Sequence, residues 1–352
     1  MAIGNFAFSA CISVRRPVYC VMPRSKFQNQ LAVKLLALLC FGGIVGSTLV
    51  AIVSTRYGWP MLLELASHFQ LQYFGFSLVL LGLLLLTRQR WLILISLLCI
   101  SLLAQQILPW YLPHLPTANT ALLRVLASNL NVNNFDYSRL LNLVQQEQPD
   151  VVVLMEVNDT WGKPLAPLHR QYPYWFGLSE EASAGIAILS RSPLENSQIV
   201  RFRRDSTPSI MTQLTIDQHP VSLVAVHPLV PVRPALFHRR NRQFAGMSEQ
   251  IDRSNSLIVV GDFNATMWSP YLQMLTAKLG LHNSRKGFGI LPTWTTPSPV
   301  SPFPAWLAPL LAIPIDHCLI SQNLRTIDMH TGAPVGSDHL PIVVDLAISN
   351  GQ

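Results

Sequence analysis

The sequence predicts an α/β protein, a layered sandwich of sheets and helices carried behind an apolar N-terminal third. Three observations predict it. Half of the 352 residues are apolar and the mean hydropathy is +0.32, more than a purely soluble domain carries. Before residue 109 the apolar residues gather in long uncharged runs of roughly the length that crosses a bilayer. Beyond residue 121 they fall into short β-branched or alternating runs with few helical stretches between, the pattern of stacked sheets rather than of an alternating barrel.

Residues 1–34 read as a basic cytoplasmic tail, with Arg15, Arg16, Arg24, Lys26 and Lys34. Cys11 to Met22 is too mixed for the apolar core of a signal peptide, and a start at Met22 would leave a short leader. A membrane anchor over 35–108 follows, with three spans expected at 35–53, 71–86 and 91–108. Leu35 to Val53 is free of charge, and neither later run shows the polar face of a buried core helix. A re-entrant second pair is the alternative. Five basic residues precede the first span and two lie at Arg88 and Arg90, whereas 54–70 holds only Arg56. The positive-inside rule then puts the tail and the second loop inside, and an odd count of spans puts everything after Leu108 on the outer face of a bacterial plasma membrane.

Pro109, Pro113 and Pro116 mark a stiff linker over 109–120, and a catalytic domain occupies 121–352. Strands are expected at 122–129, 150–156, 185–190, 210–216, 221–227, 257–262, 315–321 and 340–348. A helix over 135–148 has Leu140, Leu141 and Val144 at helical spacing, Asp136 as N-cap and Pro149 beyond its end. An Arg-rich helix over 235–251 and a short one after Pro270 complete the pattern. No internal repeat is visible.

Charge and cysteine narrow the class. Of the 25 basic and 18 acidic residues, eight and one lie before residue 111, so the whole excess of +7 sits in the N-terminal third and 111–352 is neutral. A neutral domain is a poor electrostatic match for a nucleic-acid backbone. The five cysteines show no metal-binding spacing, and only Cys318 lies beyond residue 110.

Polar residues stand at the ends of the apolar strands: Asn129, Glu156, His227, Asp262 with Asn264, Asp316, and Asp338 with His339. A sheet gathers such ends into one cleft. Gly261-Asp262-Phe263-Asn264 delivers a carboxylate and a carboxamide past a sharp glycine turn. Glu156, with Asn129 and Asp338, offers the oxygen donors that Mg2+ or Mn2+ prefers. His339 can take a proton from water with Asp316 orienting it. Asp262, Asn264 and His227 can contact the oxygens of a phosphoryl group. Phosphoester hydrolysis needs this set.

Ser128-Asn129, Met155-Glu156, Ala187 to Arg191, His227-Pro228, Gly261 to Asn264, Thr293-Trp294, Ile315 to His317 and Ser337 to Pro341 resemble, in order, the motifs of the endonuclease/exonuclease/phosphatase superfamily, and the anchored arrangement is similar to its membrane-bound bacterial branch. The resemblance implies a four-layer α/β/β/α sandwich of DNase I-like type. It implies metal binding at Glu156 assisted by Asn129, proton transfer at His339 paired with Asp316, phosphate contact at Asn264 and His227, positioning of water or leaving group at Asp262, and a supporting role for Asp338. Asn131 stands where DNA-repair members carry a second acidic ligand, so one metal ion is expected.

The expected activity is metal-dependent phosphoester hydrolysis with a nucleic acid or nucleotide phosphodiester slightly ahead, a phospholipid or sphingolipid phosphodiester as alternative, and a catalytically weak membrane scaffold as the reading from another class. No obligate protein partner is evident. His219, His238, His282 and His330 read as surface or loop histidines, His317 as structural on the opposite face of its strand, and Trp294 as packing beneath the site. Arg233, Arg239, Arg240 and Arg242 read as a solvated helix face, with a phosphate-guiding patch as the alternative. The loop 296–314, with six prolines among Phe303, Trp306 and four leucine or isoleucine residues, reads as a rigid loop on the core or as an apolar lip towards the membrane.

Overall fold

The computed structural model describes residues 24–113, 123–179, 184–216 and 218–348, with the backbone alone over 24–27. The basic tail before Arg24, with Cys11 and Cys20, and most of the expected linker lie outside the described residues.

The N-terminal helical part, expected as an anchor, comprises α1 (Arg24–Tyr57), α2 (Met61–Ser67), α3 (Gln70–Leu86) and α4 (Arg90–Ile107). Two helical stretches, Gln28–Tyr57 and Arg90–Trp110, are long and apolar enough to cross a membrane. The expected middle span differs: α3 has 17 residues, which at about 1.5 Å per residue falls short of a hydrocarbon core about 30 Å thick. It meets the criterion only together with α2, from which it is bent by 65°. The α2 turn lies in what the sequence presented as a plain loop.

The remaining elements are β1 (Leu123–Asn129), α5 (Tyr137–Glu147), β2 (Val151–Met155), α6 (Gly162–Leu165), β3 (Tyr174–Leu178), β4 (Ile186–Ser190), β5 (Glu195–Val200), β6 (Ser209–Ile216), β7 (His219–Val226), α7 (Pro234–Gln250), β8 (Ser256–Asp262), α8 (Pro270–Leu279), β9 (Leu281–Asn283), α9 (Ala308–Leu311), β10 (Asp316–Ser321), β11 (Leu324–Thr331) and β12 (Ile342–Ile348). Of these, β3, β5, β9 and β11 were not expected. Each lies on a sheet edge or next to one, where mixed side chains blur the alternation. Asp136 stands at the N-cap of α5, but its carboxylate takes Ser138 and Arg139 instead of a backbone N–H.

The strands form two six-stranded sheets, β11-β12-β1-β2-β4-β3 and β5-β6-β7-β8-β10-β9. Each is antiparallel except for a central parallel pair, β1 with β2 and β7 with β8. Val125, Val153, Ile188, Leu223, Val260 and Cys318 fill the space between the sheets. Leu140, Val144 and Trp161 cover the outer face of the first sheet, and Phe244, Met247 and Leu275 that of the second. The result is four layers, helix, sheet, sheet and helix, with both central strand pairs ending on the same edge.

Candidate active site

Register decides who meets whom. The β1–β2 pairing sets Asn129 opposite Met155, so Glu156 leaves β2 directly beside it. The β7–β8 pairing sets Val226 opposite Gly261, which puts His227 beside Asp262, and the β8–β10 pairing sets Asp316 against Asp262. Gly261 is required there: a Cβ would sit 2.0 Å from the Val226 carbonyl oxygen, and φ is +143°.

All eight candidate residues converge. Asn129 Nδ2 spans the two sheets, 3.2 Å from Glu156 Oε1 and 3.1 Å from Asp262 Oδ2. His227 Nε2 lies 3.5 Å from Asp262 Oδ2 and 3.8 Å from Glu156 Oε1. His339 Nδ1 is 2.9 Å from Asp316 Oδ2, and its Nε2 is 3.7 Å from Asp262 Oδ2. The Asn264 N–H donates to Asp262 Oδ1 at 2.7 Å, while its Nδ2 donates to the Pro228 carbonyl at 3.0 Å. Asn264 thus positions Asp262 and the neighbouring loop while its amide, also 3.3 Å from Asp262 Oδ2, lines the cavity. Asp338 accepts from Asn131 Nδ2 at 2.7 Å and from Trp294 Nε1 at 2.8 Å. Trp294 therefore stands in the cavity wall as a donor to Asp338, not beneath the site.

Three strand-end residues take left-handed backbone angles: Asn131 (φ 58°), Glu156 (φ 60°) and Asn264 (φ 49°). Such angles are costly for a side chain like glutamate, and local strain of this kind gathers at functional sites. They turn Glu156 so that its Oε2 accepts the Val132 N–H at 3.0 Å, leaving Oε1 towards the cavity.

The electrostatics follow from burial and contact. Burial favours the neutral form of His339, but the carboxylates of Asp316 and Asp262 outweigh it and lift its pKa to about 10. Burial likewise opposes a charge on His227, yet Asp262 and Glu156 raise its pKa. Asp262 is buried too, but His339, His227 and the Asn264 N–H hold its pKa below the ordinary value.

A divalent cation can be tested against two groupings. Among the described residues, the ligating atoms of Asp262, Asp316 and His339 lie within 4.8 Å of one another. That trio is already bonded internally through His339 Nδ1, which suits proton transfer better than coordination. Glu156 fits a metal better: its Oε1 faces the cavity, its side chain is 16% exposed, and Asp338 and Asn131 line the same cavity, while Asn129 presents its Nδ2 to that Oε1.

A model of the endonuclease/exonuclease/phosphatase family matches residues 126–339. The chain belongs to this family. As a member it shares its fold with solved structures at low identity. The endonuclease/exonuclease/phosphatase from Beutenbergia cavernae is 19% identical, with a TM-score of 0.52 over 64% of this chain and 72% of that one. The corresponding protein from Bacteroides vulgatus is 16% identical, with a TM-score of 0.52 over 65% and 100%. D. rerio TDP2 complexed with single-strand DNA product is 17% identical, with a TM-score of 0.51 over 64% and 98%. A comparison with curated proteins gives no match. Membership makes this a DNase I-like α/β fold of the phosphoesterase kind, and members of the family typically use a divalent metal.

This family member also carries site residues that the motifs do not mark. Leu65, His68 and Phe69, around the end of α2, line the same cavity as Glu156, Asp262 and His339. The one legible signal was Glu64 and His68 four residues apart in an otherwise apolar stretch. Arg240, expected on a solvated face, is fully buried and pairs with Glu64 at 2.9 Å. Arg239 and Arg242 both face Asp205. His317 is structural as expected, its Nε2 2.9 Å from the Ala265 carbonyl and its Nδ1 2.9 Å from Asn283. His219, His238, His282 and His330 lie outside the cavity lining.

Proposed function

We propose that this protein is a Mg2+- or Mn2+-dependent phosphodiesterase, using one ion, whose catalytic domain is tethered on the outer face of a bacterial plasma membrane. The observation that carries the chemistry is the His339–Asp316 pair set against Asp262 at the end of two parallel strand pairs. Glu156, assisted by Asn129 and Asp338, would hold the ion, and its chemistry there would be charge neutralisation at the phosphoryl group. Asp316 fixes the Nδ1–H of His339. The raised pKa belongs to the metal-free site, and a cation beside the carboxylates would favour the neutral imidazole, whose Nε2 can take a proton from the attacking water. The water oxygen bonds to phosphorus as its proton passes to His339, and the ester P–O bond breaks. The leaving oxygen takes a proton from solvent and departs as the alcohol, with Asp262 placed to position the reacting oxygens. His227, raised towards its charged form, donates towards a phosphoryl oxygen.

The substrate follows from the walls more than from the chemistry. Three of the four arginines that suggested a nucleic-acid patch are engaged, Arg239 and Arg242 with Asp205 and Arg240 with Glu64, and Arg233 alone of the four stands exposed without an ion pair among the described residues. A free basic surface is what a polynucleotide needs, and this favours the lipid-type phosphodiester over the nucleotide one.

The tether has its own support. Glu64 lies between α1 and α3 and contacts the catalytic domain, so the 58–69 segment and that domain lie on one side of the membrane. Crossing by α1 and α4 alone would put them on opposite sides. Three crossings, with the bent α2–α3 pair as the second, reconcile the contact with an inside tail. A reporter fused after Gln352 should be active outside the cytoplasm; cytoplasmic activity would refute the topology.

The full chain in nanodiscs should hydrolyse an activated aryl phosphodiester with Mg2+ or Mn2+, and Asp262→Asn should not. Absence of hydrolysis together with absence of Mg2+ binding by calorimetry would instead leave a membrane scaffold.

A further inference from the structure

The cavity at the strand ends, about 690 Å³, is closed on one side by the anchor. The α2 segment is fastened to the loop that carries Asp262 and Asn264. Glu64 Oε1 accepts from Ser269 Oγ at 2.6 Å and faces Arg240 Nη2 at 2.9 Å, while Arg240 Nη1 donates to the Asn264 carbonyl at 2.8 Å. His68 Nδ1 lies 3.0 Å from Thr266 Oγ1. All of these side chains except that of Asn264 are buried. A polar joint this enclosed holds its partners in one register, so the half-buried Leu65 and Phe69 keep a set place in the cavity wall.

We infer that α2 of the anchor is a working part of the active site: Leu65 and Phe69, with Leu229, Val230, Val232 and Ile313, form the wall that receives an apolar chain attached to the phosphoester. The inference rests on the phosphodiesterase reading and narrows its substrate to an amphiphilic ester taken from the bilayer. Position argues for that source. Phe69 is followed directly by α3, an apolar helix packed on α1, so the wall adjoins the membrane-facing part of the molecule. Val230 and Val232, in the same lining, stay 45% and 60% exposed, and Trp306 and Leu310 are 72% and 63% exposed on the loop that also supplies Ile313. The loop bearing the last two is joined to α3 by Gln72 Nε2, which donates to the Ala312 carbonyl at 2.9 Å. Exposed apolar side chains contiguous with a site suit an apolar ligand or a membrane surface better than a hydrated polymer.

The test uses the full chain in nanodiscs with a series of p-nitrophenyl alkyl phosphodiesters from methyl to dodecyl. KM should fall at least ~10-fold along the series, because each buried methylene adds to binding. Partition of the esters into lipid would also lower KM, but equally for every variant. Leu65→Ala and Phe69→Ala should flatten the series, losing at least ~10-fold more kcat/KM on the dodecyl than on the methyl ester. Val232→Asp, at an exposed position that folding tolerates, should do the same from the opposite wall. Hydrolysis of the methyl ester with no gain along the series overturns the inference, and so does a gain that all three variants keep. Failure to hydrolyse any member overturns the phosphodiesterase reading beneath it.

Discussion

Glu64 and Arg240 meet at 2.9 Å, one from the anchor and one from the catalytic domain, and neither side chain is reached by solvent. Opposite charges this enclosed cost much desolvation, and the geometry offsets it only while both remain. Glu64→Ala should destabilise the full chain by about 3–5 kcal/mol, because it strands the Arg240 guanidinium in the interior. Glu64→Leu with Arg240→Met should cost much less than the two single changes together. Denaturant unfolding in detergent, followed by tryptophan fluorescence, reads the cycle; additive losses would show that the pair is not coupled.

The same joint bears on any soluble version. A fragment of residues 117–352 lacks Glu64, His68 and the apolar cluster in which Ile107 packs on Met267, Trp268 and Ile290. It should melt lower than the full chain and lose activity on chain-bearing esters more than on small ones. Equal melting temperatures would mean the docking contributes nothing.

His339 sets a pH dependence. Its pKa in the folded, metal-free protein is about 10 against an ordinary 6.5. The pair it forms with Asp316 therefore stabilises fully below about pH 6.5, and that stabilisation is lost as pH rises towards 10. Melting temperature without metal should fall across that window, and His339→Asn should remove the slope. At saturating Mg2+, His339→Ala should lower kcat by about 10²–10⁴. A variant as active as the parent would exclude His339 as the base.

Asn131 offers a metal test with two signs. Its Nδ2 donates to Asp338 at 2.7 Å, so Asn131→Asp replaces a donor by a second carboxylate. Without metal the variant should lose about 1–3 kcal/mol through an unpaired buried acceptor. With Mn2+ it should recover, and calorimetry should show tighter or additional binding. Glu156→Gln should weaken Mn2+ binding by more than the ~10–100-fold that loss of a mere supporting contact costs. An unchanged affinity would move the metal elsewhere.

Gly261→Ala probes the β7–β8 junction. The added methyl would meet the Val226 carbonyl oxygen at 2.0 Å on a backbone with φ of +143°. The variant should lose more than the ~1–3 kcal/mol of backbone strain alone and appear mainly in aggregates. A soluble variant with native melting would contradict the register.

Much of this could be read along the chain. The buried strands that end in Glu156 and Asp262 are apolar runs and those that end in Asn129 and His227 alternate, each with a polar stop, local patterns that need no partner to be visible. The edge strands Glu195–Val200 and Leu324–Thr331 carry no such contrast, because half their surface is open. Arg240 looked like its neighbours Arg239 and Arg242; only the docking of α2 buries it, and that contact joins residues 176 positions apart in the chain.

The sequence by itself determined the family, the eight strand-end residues that the fold gathers in one cleft and the apolar character of the N-terminal helices, because each depends on residue type and short-range spacing. Tertiary structure alone decided that Asn131 and Trp294 hold Asp338, that Asn264 fastens its own loop, and that Leu65, His68 and Phe69 wall the cavity. Those are meetings between elements whose register and packing no local pattern encodes, and through them the anchor becomes part of the site.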